Sequence, residues 1–222
     1  MSSEPSSRRR PGPPPRLNRE LIADAAIAVG FTDLTLASVA ERLSATHAAL
    51  YRHVADRDDL VVAAVERLVA GLPPPAGPLD WRTLLETETW ALWDMYADNP
   101  GVDQVLCAVP AAREVFVGRT ITLIRRLCEA GFDVESAVLV ADIVVDFARA
   151  SGGTAARLHR TKTGQVKDAL TRAWSDPADQ ETLRLVTGLV RQDHRPWAAR
   201  KLEIVLDGIA VSVPCARDLP TR

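Results

Sequence analysis

The sequence has few of the features that define several protein classes. Its three cysteines, Cys107, Cys128 and Cys215, are odd in number and far apart. This excludes a disulfide framework and a CxxC metal pair, and it predicts buried free thiols. No apolar run reaches the roughly 18 residues that a membrane-spanning helix needs, because Asp142 interrupts the stretch 138–145. We therefore expect a chain that does not cross a membrane.

The N-terminal segment lacks the apolar core of a signal peptide. Residues 8–10 are arginines, but prolines follow at the positions where the apolar region would lie. Serine, proline and arginine dominate residues 1–15, which cannot bury an apolar face. We expect these residues to form a disordered arm on a cytoplasmic chain.

The sequence also has no large excess of positive or negative charge. The 222 residues carry 27 basic and 29 acidic side chains, a formal net charge of −2. Within residues 1–60, arginines and acidic residues are equal in number. The chain therefore lacks the excess positive charge that favours nucleic-acid binding, and any such role depends on where individual residues stand.

Motifs for catalysis and metal binding are absent as well. The sequence has no HExxH, no GxSxG and no phosphate-binding loop, and its four histidines lack the spacing of metal ligands. Strand alternation and hairpin patterns are also missing. We therefore expect an all-α protein that is not an enzyme and has no cofactor and no metal.

Helical periodicity is what the sequence does contain. Apolar residues recur at helical spacing up to Gly30, which is placed to end a first helix. Thr35, Thr46 and Asp56 can each cap a further helix, of which the second is about two turns long and the third is short. Ser44 lies in the tight break before the third helix. The chain therefore opens with four helices.

Prolines divide the chain into two regions. They end the fourth helix and make residues 71–79 a stiff connector. We predict one domain at residues 16–70 and a larger helical domain at residues 80–222. The helices predicted in the larger domain run from Asp80 to Asn99, from Ala111 to Gly131, from Asp133 to Gly152-Gly153, from Asp176-Pro177 onward and from Trp197 to Val213.

The second and third helices, joined by a three-residue break, have the pattern of a helix-turn-helix. Leu50 and Val54 are turned inward, so the opposite side of the third helix can enter a DNA major groove. The residues on that side are His47, Ala48, Tyr51 and Arg52. Tyr51 is the most informative of them, because exposing an aromatic side chain there brings no structural benefit.

The segment from Leu17 to Leu68 resembles the DNA-binding domain of the TetR (tetracycline-repressor) family of transcriptional regulators. The resemblance is carried by Ala25-Ala26, Gly30-Phe31, Leu34-Thr35, Val39 to Leu43, Leu50 to Val54 and Asp56 to Leu60. Residues 130–132 and 202–209 look like the regulatory domain of the tetracycline-repressor branch, more loosely. The resemblance implies a repressor that binds a palindromic double-stranded DNA operator as a homodimer and is released by a small-molecule effector.

The resemblance also implies roles for individual residues. Phosphate contacts would be made by Thr35, Thr46, Tyr51, His53 and Arg57, and base contacts by His47, Ala48 and Ala49. His47 is alternatively a plain exposed helix residue, and His53 alternatively a helix cap. Ser44 replaces the usual glycine of the turn, at a cost of about 1 kcal/mol. Ala37 replaces an arginine of the tetracycline-repressor branch, so we expect a different operator.

The larger domain contains candidates for a small-molecule site. They are Trp90, Trp93, Tyr96, Phe116, Arg119, Asp142 and Asp146. Ionised groups on an apolar helix need partners. For the two aspartates these are Arg149 or Arg119, a partner subunit, or a basic group of the ligand. Val105 stands where the branch has a magnesium-binding histidine, so we expect an effector other than a magnesium-tetracycline complex.

Several alternatives remain open from the sequence. We expect the homodimer to form through helices 133–152 and 197–213, packed as a four-helix bundle. The arginines at residues 8–10 belong either to a solvated tail or to an arm in the adjacent minor groove. A helical enzyme or ligand carrier with an incidental helix-turn-helix, or a dimeric interaction adaptor, would lack specific, salt-sensitive DNA binding.

Overall fold

A computed structural model describes residues 17–74, 80–160, 168, 180–191 and 193–213. These ranges contain helices and no strand, which confirms the all-α prediction. In chain order the helices are α1 (Arg19–Val29), α2 (Leu36–Arg42), α3 (His47–Leu50), α4 (Arg57–Gly71), α5 (Trp81–Asp98), α6 (Val102–Ala108), α7 (Pro110–Glu114), α8 (Val117–Ala130), α9 (Val134–Arg160), α10 (Gln180–Arg191) and α11 (His194–Ser212).

Some predictions fall on residues that the structure does not describe. These are the arm at residues 1–15, most of the connector 71–79, the helix start at Asp176-Pro177, and Cys215. Of the helices that the structure does describe, none is both long and apolar enough to cross a lipid bilayer.

The predicted helix caps agree with the structure: α2, α3 and α4 begin after Thr35, Thr46 and Asp56, although α3 ends at Leu50 and does not reach Val54. The side chains of Thr35, Thr46 and Asp56 accept hydrogen bonds from the NH groups three residues ahead, at 3.0, 3.2 and 2.8 Å. Gly30 ends α1 with a φ of 90°. Ser44 has a φ of 50°, the left-handed conformation that disfavours residues other than glycine. Local capping residues therefore fix this part of the chain.

The helix α9 continues through the two glycines that were expected to end it. Gly152 and Gly153 lie inside α9, which ends at Arg160, so that prediction was wrong. A Cβ atom on Gly152 would lie 2.8 Å from the carbonyl oxygen of Trp93 and 2.9 Å from the Cβ of Tyr96. Glycine is used here because α5 and α9 approach too closely for a side chain.

The helix predicted over residues 111–131 is interrupted at Val115 and Phe116, where α7 ends and α8 begins. The NH of Phe116 bonds to the carbonyl of Arg113 at 3.1 Å, which is a tighter turn than that of an α-helix. Both side chains at the break are half-buried against the core. The break contains no glycine or proline, so nothing in the local sequence indicates it. The final helix likewise begins at His194, earlier than predicted.

One cluster of buried side chains joins the N-terminal helices to the rest of the protein. It extends from α1–α4 to α5, α6, α7 and α9. A second cluster lies among α5, α8, α9 and α11. Outside the core, Arg160 at the end of α9 donates a hydrogen bond to Thr32 at 2.6 Å. Residues 17–74 therefore pack directly on the larger helical region.

Replacing Gly152 with alanine should lower the free energy of unfolding by about 1–3 kcal/mol, because the new methyl group meets a backbone carbonyl. This loss should appear although alanine favours helices over glycine. Gly118→Ala on α8, where nothing lies within 4 Å of an added Cβ, should instead stabilise the protein by up to about 1 kcal/mol. Urea unfolding at one protein concentration measures both. Equal stability of the two variants would contradict the role assigned to Gly152.

Candidate functional site

The outer face of α3 and the turn after it form an exposed surface. Leu50 and Val54 are 0% and 1% exposed, whereas Tyr51 is 54% exposed. Of the other predicted contact residues here, His47, Ala48 and Arg52 are exposed and Ala49 is half-buried. The burial of Leu50 and Val54 therefore turns the face that contains Tyr51 toward solvent.

The other predicted phosphate contacts lie around this face. Thr35 and Thr46 are exposed at the starts of α2 and α3. The half-buried His53 side chain makes no hydrogen bond within the described residues, so nothing there supports its alternative role as a helix cap. Arg57 Nε donates to the carbonyl of Leu34 at 3.2 Å. Arg57 therefore also holds the start of α4 against the segment that leads into α2.

Arg19, which the sequence analysis did not single out, connects α1 to both ends of the turn between α3 and α4. Its Nη1 atom donates to the carbonyl of His53 at 3.2 Å, and its Nη2 atom lies 2.7 Å from Asp59 Oδ1. The hydrogen bond from Arg19 holds the pKa of Asp59 below its usual value. The Asp59 carboxylate also accepts from the NH of Ala55 at 2.8 Å. Arg19 thereby ties α1 to the turn after α3 and to the first turn of α4.

A cavity of about 340 Å³ lies among α5, α6, α7, α8 and α9. This volume is at the small end of the range of about 300–1,000 Å³ typical of small-molecule sites. Apolar side chains form much of its wall: Leu92, Leu106, Phe116, Leu123 and Val145. The polar side chains that line it are Glu88, Tyr96, Cys107, Arg113, Arg119, Thr120, Asp146 and Arg149.

The cavity brings together only some of the residues predicted to bind a ligand. Tyr96, Phe116, Arg119 and Asp146 line it, whereas Trp90, Trp93 and Asp142 do not. The guanidinium of Arg195 instead lies over the two tryptophan rings, 4.5 and 5.4 Å from their centroids. Asp142 is exposed on α9, and Asp146 pairs with Arg149 at 2.8 Å, the first of the partners considered from the sequence.

The cysteines differ from the prediction of buried thiols. Cys107 is exposed and lines the cavity, and Cys128 is half-buried. Both are free thiols. Cys107 is exposed because it lies on the side of α6 that borders the open cavity, whereas Val105 and Leu106 on the same helix are buried.

A buried ion pair lies in the wall of the cavity. Arg119 contacts both carboxylate oxygens of Glu88, at 2.6 and 2.7 Å, and Glu88 is 2% exposed. The Nη2 atom of Arg119 also donates to the carbonyl of Pro73 at 3.0 Å. Pro73 follows directly on Leu72, the residue that caps the end of α4. One cavity residue is therefore bonded to the segment that leaves α4.

Comparison with solved structures identifies the fold. No protein-family model and no curated protein sequence matches the chain. The Streptomyces coelicolor TetR family protein ActR, solved in complex with actinorhodin, is 21% identical, with 90% of this chain and 98% of that chain covered and a TM-score of 0.68. A possible TetR family transcriptional regulator from Streptomyces coelicolor A3(2) is 19% identical, with coverage of 87% and 98% and a TM-score of 0.69.

A third similar structure is TetR from Acinetobacter baumannii AYE. It is 22% identical, with 79% of this chain and 95% of that chain covered and a TM-score of 0.56. The chain therefore has the fold of these regulators along most of its length, including both the helix-turn-helix and the helices around the cavity.

Replacing Arg119 with alanine should lower the free energy of unfolding by about 3–5 kcal/mol, because it leaves the buried Glu88 carboxylate without a partner. The double variant Glu88→Leu/Arg119→Met removes both charges and should recover most of this loss. Urea unfolding of the wild type, the single variant and the double variant measures the effect. A single variant as stable as the wild type would show that Glu88 does not depend on this partner.

Proposed function

We propose that this protein is a TetR-family transcriptional repressor. It binds a palindromic operator as a homodimer, and it is released when a small molecule occupies the cavity. The observation that carries the proposal is the outward face of α3, where Tyr51 is 54% exposed on a helix held from behind by buried Leu50 and Val54. The fold shared with TetR-family regulators and the resemblance of residues 17–68 support it.

In the complex that we propose, α3 lies in the major groove. His47, Ala48 and Ala49 contact base edges, while Thr35, Thr46, Tyr51, His53 and Arg57 contact phosphates. Arg52 is exposed beside Tyr51 and adds a positive charge to this face. Phosphate contacts fix the position of the protein on DNA, and base contacts provide the specificity.

Exposed apolar side chains on α9 and α11 support dimerisation through these two helices. The larger ones are Val134, Val138, Leu139, Trp197, Ile204 and Val211. Exposed apolar patches mark interaction surfaces, and Val134 and Val138 lie one turn apart on α9. Asp142 is exposed on α9 near Val138 and Leu139. In the dimer that we propose, it contacts the partner subunit, which is one of the three partners considered from the sequence.

The release mechanism that we propose depends on Arg119. A ligand in the cavity contacts this side chain, which holds the carbonyl of Pro73 directly after α4. Moving that carbonyl changes the angle of α4 and therefore the distance between the two α3 helices of the dimer. Both helices can bind only when this distance matches one turn of DNA, about 34 Å. Such coupling is usually about 1–3 kcal/mol.

Selection of binding sites from random duplex DNA tests the proposed function. We expect a palindromic consensus with half-sites about one helical turn apart and two protein chains on each duplex. Affinity for a scrambled duplex of the same composition should be lower by a factor of about 10³ or more. Recovery of no preferred sequence would contradict the proposal and would favour the carrier or the adaptor.

The phosphate contacts predict a defined salt dependence. Tyr51→Phe should weaken binding to all operator variants by similar factors. Arg57→Ala should also lower the slope of log affinity against log salt concentration by about one unit. Arg67→Ala is the control, because ten residues further along α4 correspond to about 15 Å. Fluorescence anisotropy at several salt concentrations measures the slope. An unchanged slope for Arg57→Ala would remove that residue from the DNA interface.

His47 should behave differently from these residues. As a base contact, it should change the preference at one operator position by about 1–3 kcal/mol when it is replaced by alanine. Titrations of the variant against a set of single-base operator changes measure this preference. A loss that is equal for all operators would mean that His47 is only an exposed helix residue.

A further inference from the structure

The charged side chains that line the cavity do not balance. There are three arginines and two carboxylates among them. Glu88 is paired with Arg119, and Asp146 is paired with Arg149. The remaining arginine, Arg113, makes no ion pair or hydrogen bond within the described residues. Arg113 is exposed, so the cavity has one solvent-accessible positive charge that no carboxylate in the described residues pairs with.

A tyrosine hydroxyl group in the same cavity also lacks a partner within the described residues. The Tyr96 side chain is 3% exposed, lines the cavity, and makes no hydrogen bond to any part of the chain that the structure describes. Burial raises the pKa of Tyr96 to about 12, so the group keeps its proton at neutral pH. Among the described side chains, the one fully buried polar atom without a partner is Nε1 of Trp93, so the Tyr96 hydroxyl opens onto the cavity that it lines. A ligand with an acceptor atom fits this donor.

The rest of the lining restricts the body of the ligand. Leucine, valine and phenylalanine side chains from α5, α6, α8 and α9, together with Phe116 before α8, form an apolar wall around the two polar groups. A small hydrophilic anion would leave this wall without contacts, and a neutral apolar molecule would make no use of the charge of Arg113 or of the Tyr96 hydroxyl.

We propose that the cavity binds an apolar organic acid with a single negative charge. Its acidic group pairs with Arg113, an oxygen atom accepts the hydrogen bond of Tyr96, and its body packs against the apolar wall. The proposal rests on the proposed function in one respect, because it takes this cavity as the effector site. Binding of the acid can nevertheless be measured without DNA.

Two fluorescent probes with the same ring skeleton test the charge preference. One is 8-anilinonaphthalene-1-sulfonate, and the other is its neutral counterpart without the sulfonate, N-phenyl-1-naphthylamine. Wild-type protein should bind the sulfonate up to about fivefold more tightly, the factor expected for an ion pair that water reaches. Arg113→Gln should remove this preference by weakening only the sulfonate. Tyr96→Phe should weaken the sulfonate several-fold. Arg125→Gln on α8, an exposed arginine that does not line the cavity, is the matched control.

The position of the probe is measured on the unmodified protein. A saturating concentration of the sulfonate should slow alkylation of Cys107 by iodoacetamide, because this thiol lines the cavity. Alkylation of Cys128, which does not line it, should be unchanged. Peptide mass spectrometry separates the two cysteines.

Several results would overturn the proposal. They are equal affinity for the two probes, an equal effect of Arg113→Gln and Arg125→Gln, or unchanged alkylation of Cys107. A protein that selects an operator but shows any of these results has the proposed function with a different effector class. A protein that prefers the sulfonate probe and is protected at Cys107, but selects no DNA sequence, would contradict the proposed function and leave the proposed ligand class standing.

Discussion

The close contact between α5 and α9 is the constraint on which the other features depend. It requires Gly152, because the carbonyl of Trp93 occupies the space that a side chain would need. With the two helices fixed at this distance, α5 directs Glu88 and Tyr96 toward the cavity, while Asp146 and Arg149 approach it from α9. The width of the cavity and the meeting of its charged groups are therefore set by the packing of these two backbones.

The features that the sequence predicted well are those specified within a few residues. Thr35 and Asp56 start helices because their side chains accept hydrogen bonds from NH groups in the next turn. Helix α1 ends at Gly30, whose positive φ is a conformation that glycine adopts easily. The inward positions of Leu50 and Val54 follow from helical spacing alone. The exposed face of α3 was predictable for the same reason.

The features that the sequence did not predict depend on distant partners. Glycine has the same local meaning at a helix end and at a close helix contact, so nothing near Gly152 distinguishes the two. The pairs Arg19–Asp59 and Arg119–Glu88 join residues 40 and 31 positions apart. Aromatic spacing placed Trp93 and Tyr96 on one helix correctly, but it does not reveal which of them borders a cavity. The third cavity arginine, Arg113, lies beside a helix break that has no local cause.

The continuous core between α1–α4 and the cavity helices has a consequence for the lifetime of the protein in a cell. Since one cluster of buried side chains spans both regions, we expect α1–α4 to unfold together with the cavity helices. A ligand that binds only the folded chain stabilises the whole of it. The gain in the free energy of unfolding grows with the ratio of the ligand concentration to the dissociation constant. If the proposed function holds, operator and effector both protect the repressor from proteases, and the form with neither is the one removed fastest.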